Sequence, residues 1–85
     1  MFIERFGMQA VLTRHAQQRM TERHISIEEI CHLLETGTIR LKDDHRFWAA
    51  TTFQGRSDNL ICVAAVFEPP TVVIKTVMHH FSWEA

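Results

Sequence analysis

Apolar and polar positions along this chain change period once, near Gly37. Before it, apolar residues recur at three- and four-residue steps. After it, they alternate. Leu12 to Gly37 contains two helix signals back to back. Thr13 carries an N-cap hydroxyl, able to accept from a backbone N–H one turn on. It predicts a helix over about Arg14–Arg23 with Ala16 and Met20, four apart, on the inward face. His15, Arg19 and Arg23 are also spaced by four and line an adjacent stripe that drifts slowly around the helix. Ser26-Ile27-Glu28-Glu29 is a capping box, with Ile25 and Ile30 placed as a hydrophobic staple. Glu28 and Glu29 suit the positive end of the helix dipole. Ile27, Ile30, Cys31 and Leu34 follow the i, i+3, i+4, i+7 spacing of a core-facing stripe, which Leu33 widens. Gly37 is the expected stop, in the left-handed conformation that favours glycine.

From Thr38 the pattern is that of strands. Thr38–Lys42 alternates, and Asp43-Asp44-His45 is a turn. Arg46–Gln54 puts Phe47, Ala49, Thr51 and Phe53 on one face and Arg46, Trp48, Ala50 and Thr52 on the other. Gly55–Asn59 is a polar turn. Leu60–Phe67 is apolar on both faces, which predicts a central strand covered on both sides. Two prolines make Glu68–Thr71 a turn, because they cannot pair in a sheet interior. Val72–Met78 is rich in β-branched residues and predicts the last strand. His79–Ala85 reads as a tail tied down by Phe81 and Trp83. The start, Met1–Val11, reads either as a short strand or as loose packing beside the sheet, broken at Gly7. The expected fold is α+β: two N-terminal helices packed on a mostly antiparallel four-stranded sheet, connected as a meander.

With 85 residues the chain is expected to be one domain, its core running from about residue 12 to 79. No apolar run approaches the roughly 20 residues of a membrane span, and Glu4 and Arg5 interrupt the apolar start that a signal peptide would need. Cys31 and Cys62 lack metal or redox spacing and read as reduced core residues. These features predict a cytoplasmic protein without membrane contact. Six histidines raise the question of zinc, but neither an H-E-x-x-H nor a Cys-His spacing is present. His79 and His80 would point to opposite faces of a strand. No metal and no cofactor is expected. A net charge of −1 argues against a general nucleic-acid coat, yet the charge is uneven. Arg14–His24 holds three arginines, two histidines and one glutamate, whereas Ser26–Gly37 holds three glutamates and no Lys or Arg.

The run His15-Ala16-x-x-Arg19-Met20-x-x-Arg23, followed by Ile25-Ser26-x-Glu28-Glu29 and a helix ending at Gly37, resembles a small family catalogued as a domain of unknown function. That family is regarded as related to the RelE and BrnT toxins of the barnase–EndoU–colicin–RelE superfold. The resemblance covers roughly Leu12 to His79 and implies an RNA-cleaving, toxin-like role. Carried over, its polar positions are His15, Arg19 and Arg23 on the helix, Arg46 at the start of the second strand and Thr76 on the last. Members commonly have Gly where this chain has His24, and Thr-x-Tyr where it has Thr76-Val77-Met78. His79 and His80 stand beside the missing tyrosine.

The residue types fit such chemistry. RNA carries its own nucleophile, the 2′-hydroxyl, so cleavage needs a base, an acid and cations for the developing charge. Histidine can act as base or acid near neutrality, and arginine's planar fork binds two phosphate oxygens at once. Trp48 shares a strand face with Arg46 and could stack a base. The expected catalytic set is His15, Arg19, Arg23, Arg46 and His79, with Trp48 and Thr76 binding substrate. The competing reading is a solvated helix flank, ion-paired to carboxylates such as Asp43, Asp44 or Glu68. Two functions follow: a metal-independent, toxin-like endoribonuclease paired with an antitoxin, or a non-catalytic module that binds protein or nucleic acid on the same scaffold. Trp48, Phe53, Phe81 and Trp83 would in either case suit a homodimer interface.

Overall fold

Thr13 and Ser26 start the two helices as their side chains predict. The Thr13 hydroxyl accepts from the Ala16 N–H at 3.0 Å and opens α1, Arg14–Arg23. Ser26 and Glu29 complete both halves of the capping box, at 3.1 and 2.9 Å, and open α2, Ile27–Thr36. The computed structural model describes residues 1–83. Six strands accompany the helices: β1 (Phe2–Ile3), β2 (Met8–Leu12), β3 (Thr38–Leu41), β4 (Arg46–Thr51), β5 (Ile61–Glu68) and β6 (Thr71–Met78). Among the described residues no helix is long and apolar enough to cross a membrane.

The expected four-stranded, mostly antiparallel RelE-like sheet is corrected here. The sheet has six strands in the order β1-β2-β6-β5-β4-β3, and it is mixed. The last four strands form the expected antiparallel meander. The N-terminal segment adds a hairpin, turned at Gly7 with φ +63°, whose second strand runs parallel to β6, Gln9 opposite Thr71 through Leu12 opposite Ile74. The physical reason is burial. Ile3 is fully buried and Ala10 nearly so, both within the main core, so this short segment gains more by pairing than by lying loose beside the sheet.

Both helices pack on one face. Ala16 and Met20 of α1 and Ile30, Leu33 and Leu34 of α2 meet Phe47, Ala49, Ile61, Val63, Ala65, Val72, Ile74 and Val77. Alternation along the strands places Trp48, Ala64 and Thr76 on the opposite face. Among the described residues that face has no helical layer, so the expected two-sided cover of β5 is corrected too. Cys62 is buried, but Ala64 and Val66 are only half-buried. The tail after Met78 lies along this end of the sheet, its His80 and Phe81 N–H groups donating to Asp58 and Leu60 carbonyls at 2.7 and 3.0 Å. Ile27, expected in the core stripe, is 46% exposed; at the first position of α2 its side chain lies outside the contact.

Gly37 ends α2 for a different reason from the one expected. Its backbone is extended, φ −69° and ψ 164°. A Cβ there would stand 2.6 Å from the Leu33 carbonyl oxygen and 2.9 Å from that of Ala50, so glycine is required by close approach. The helix end that does take the left-handed conformation is that of α1, at His24, φ 53° and ψ 47°. Gly37→Ala should cost about 1–3 kcal/mol through overpacking and lower Tm by several degrees or more; an unchanged thermal melt would contradict this account of the glycine.

Candidate nucleic-acid interface

The open face carries a row of directly opposed residues across four strands. Thr76 on β6 faces Ala64 on β5. Ala64 in turn faces Trp48 on β4, and Trp48 faces Arg40 on β3. Strand spacing of about 4.8 Å sets the steps of this row. At its β6 end the row is extended by His15, whose Nε2 lies 3.1 Å from Thr76 Oγ1.

His15 reaches Thr76 because α1 takes over one edge of β6. β2 covers that edge only as far as Ile74. Beyond it, the Thr13 hydroxyl donates to the Lys75 carbonyl at 3.0 Å, and Arg23 Nη1 donates to the Val77 carbonyl. The stripe read from sequence therefore lies along the edge of β6 but divides its work. His15 contacts a side chain on the open face, Arg23 satisfies a strand carbonyl, and Arg19 pairs with Glu22 on its own helix.

Besides Arg40, which ends the row, three cations border it: Lys42, Arg46 and Lys75. A register shift at Ala64/Ala65 leaves Lys75 as the extra residue of β6, and such a bulge re-aims a side chain. Lys75 borders a small hollow of about 110 Å³ with Lys42, Arg46, Trp48, Ala64 and Val66. Lys42 Nζ sits 5.7 Å from the Trp48 ring centroid, and Arg40 Cζ sits 4.5 Å from that of Trp83. Arg46 is held by Asp43, Nε to Oδ2 at 2.7 Å; this contact and the backbone N–H groups of His45 and Arg46 hold the Asp43 carboxyl well below its usual range. Among the described residues Arg40, Lys42 and Lys75 form no ion pair. Single-strand alternation had already put Arg46 and Trp48 on one face. Arg40, Lys42, Lys75 and Ala64 needed the cross-strand register and the bulge, which no local pattern supplies.

His79 is placed elsewhere. Its Nδ1 lies 3.1 Å from Asp58 Oδ2, in a hollow shared with Glu22, Arg23, His24 and Arg56. Arg56, unremarked in the sequence, organises this region. It pairs with Asp58 at 2.8 and 2.9 Å and with Glu29 at 3.2 Å. It also donates to the carbonyls of His24 and Arg23 at 3.0 and 2.9 Å, so it satisfies the open end of α1. Hydrogen bonds from Arg56, then from His79, hold the Asp58 carboxyl well below its usual range. The Ser26 N–H and then Arg56 lower that of Glu29.

Both carboxyls are depressed in the folded state. Their stabilisation is therefore complete above the unfolded values of about 4 and is lost as pH falls through the folded ones. Arg56→Ala should cost about 1–3 kcal/mol at pH 7, and the gap to wild type should narrow at pH 3. Urea melts at the two pH values test this, and an equal gap at both would contradict it.

Burial pushes the Cys62 thiol up to about 12, which leaves it an unreactive core group. Among the described residues no three His, Cys, Asp or Glu side chains are grouped to hold a metal ion. A family model described as a domain of unknown function, DUF4258, matches residues 12–79. Comparisons with curated proteins and with solved structures return no match.

Proposed function

We propose that this chain, which belongs to the DUF4258 family, lays single-stranded RNA across the open face of its sheet and cleaves it without a metal, in the manner of a toxin-like endoribonuclease. The observation that carries the reading is the row from His15 through Thr76, Ala64 and Trp48 to Arg40. It joins an acid–base group, a surface for a base and flanking cations on one surface. Lys42, Arg46 and Lys75 neutralise phosphates, Trp48 offers a stacking surface, and the small Ala64 leaves the floor low between them.

In the reaction His15 takes the proton of a 2′-hydroxyl, whose oxygen attacks the adjacent phosphorus. The bond from phosphorus to the 5′-oxygen breaks, that oxygen takes a proton from water, and the hydroxide left behind takes the proton held by His15, which restores the neutral ring. The products are a 2′,3′-cyclic phosphate and a 5′-hydroxyl. Thr76 positions the His15 ring through the 3.1 Å contact. A cognate antitoxin protein would act by covering this face.

A second reading, a binding module without catalysis, is favoured by the dispersal of the other polar residues. Arg19, Arg23 and His79 are each engaged away from the row, so one histidine stands where two proton transfers are needed. Incubating wild type with mixed-sequence RNA and a chelator decides between them. Cyclic-phosphate ends support cleavage; bound but intact RNA selects the second reading.

A further inference from the structure

Trp48 separates two hollows on the open face. The smaller, bordered by Lys42, Arg46 and Lys75, is cationic and suits a phosphate. The larger, about 490 Å³, lies between Arg40, Trp48, Met78, Phe81 and Trp83, within the size range of small-ligand pockets. Its walls are mostly carbon and aromatic. We propose that this larger hollow is a slot for one unpaired nucleobase of the bound RNA, with Trp48 and Trp83 as its walls. The inference rests on the RNA reading above and adds the site at which a base is held.

The walls are held by their own neighbours. Trp83 is stacked by Arg40 at 4.5 Å and met edge-on by Phe81, 5.0 Å away at 89°. Phe81 is fixed by its N–H to the Leu60 carbonyl at 3.0 Å. An apolar slot alone would suit many ligands; the charge around it selects among them. Arg40 and Lys42 stand at the two tryptophans, and the cationic hollow adjoins Trp48 on its other side. A flat apolar group joined to anionic linkages on both sides matches this arrangement, and a nucleotide within a strand has that form.

Trp48 and Trp83 are the two tryptophans of the chain, which has no tyrosine, so intrinsic fluorescence reports on the slot directly. The test titrates the full chain with a short oligoadenylate and, separately, with inorganic polyphosphate. The expected result is saturable quenching by oligoadenylate and none by polyphosphate. Trp83→Ala should weaken oligoadenylate binding, followed in parallel by filter retention of labelled oligomer, by roughly fivefold or more, while Trp83→Phe should recover most of the loss. Thermal melts check that the variants fold. Wild type that binds oligoadenylate without quenching, or with an affinity insensitive to Trp83→Ala, overturns the slot and leaves the RNA surface standing. Wild type that binds no oligoadenylate overturns both.

Discussion

Replacing His15 with alanine is expected to cut RNA cleavage by about 10²–10⁴-fold, the range associated with losing a general acid or base. His15 is exposed on α1, and its described side-chain hydrogen bond is the one to Thr76. The substitution should therefore cost the fold no more than about 1 kcal/mol. Parallel thermal melts separate the two effects. A cleavage loss below about threefold in a folded variant would remove His15 from the mechanism. Thr76→Val should act in the same direction but less strongly, because it frees the ring without deleting it.

Leu34→Asp is expected to abolish folding. Leu34 is fully buried on α2 within the main core. The change forfeits roughly 1.5–3 kcal/mol of apolar burial. It also places a carboxylate among the apolar side chains of the core, costing several kcal/mol more. The whole stability of so small a domain is about 5 kcal/mol, so the two terms together exceed it. Circular dichroism should show no cooperative melt. Ile27→Asp, at the exposed start of the same helix, supplies the control. It adds a negative charge at the favourable end of the helix dipole and should melt close to wild type. A near-native melt of Leu34→Asp would contradict the place given to α2.

The parts of this fold legible in the sequence are those whose causes are local. Thr13 and Ser26 fixed both helix starts because a capping hydrogen bond spans only three residues. The alternation of β4 gave the correct two faces because side-chain direction in a strand depends only on parity. What was hidden depends on contacts between distant segments. Two residues of β1 and five of β2 carry too short a pattern to be told from a loop, and only burial of Ile3 and Ala10 under the helices secures them. Gly37 is read as a left-handed stop from its place in the chain, but the groups that exclude a side chain include the carbonyl of Ala50, a strand away. Likewise the edge of β6, where Arg23 is used to satisfy a carbonyl, exists only because β2 stops at Ile74.

The same division holds for the site. His15, Trp48, Thr76 and Arg46 were accessible as candidates from residue type, face and resemblance, and the structure places them on or around one surface. Arg40 lies on β3 and Lys42 just past its end, with nothing local to distinguish them from solvated positions. Arg40 joins the surface through the register of β3 on β4, and Lys42 follows through its N–H to the Arg46 carbonyl at 2.8 Å. Lys75 joins it through a bulge, a feature with no sequence mark in this strand. Arg56 was hidden within a polar turn, and its role emerges only from the four groups it holds.

The most direct test of the RNA surface is the salt dependence of oligoribonucleotide binding by wild type and by Arg46→Ala, Lys42→Ala and Lys75→Ala. Each cation that contacts a phosphate contributes roughly 0.7 to the slope of log affinity against log salt for a single strand. The account predicts that each variant binds more weakly and loses about that much slope. Binding whose slope is the same in wild type and all three variants would contradict an RNA path over the open face.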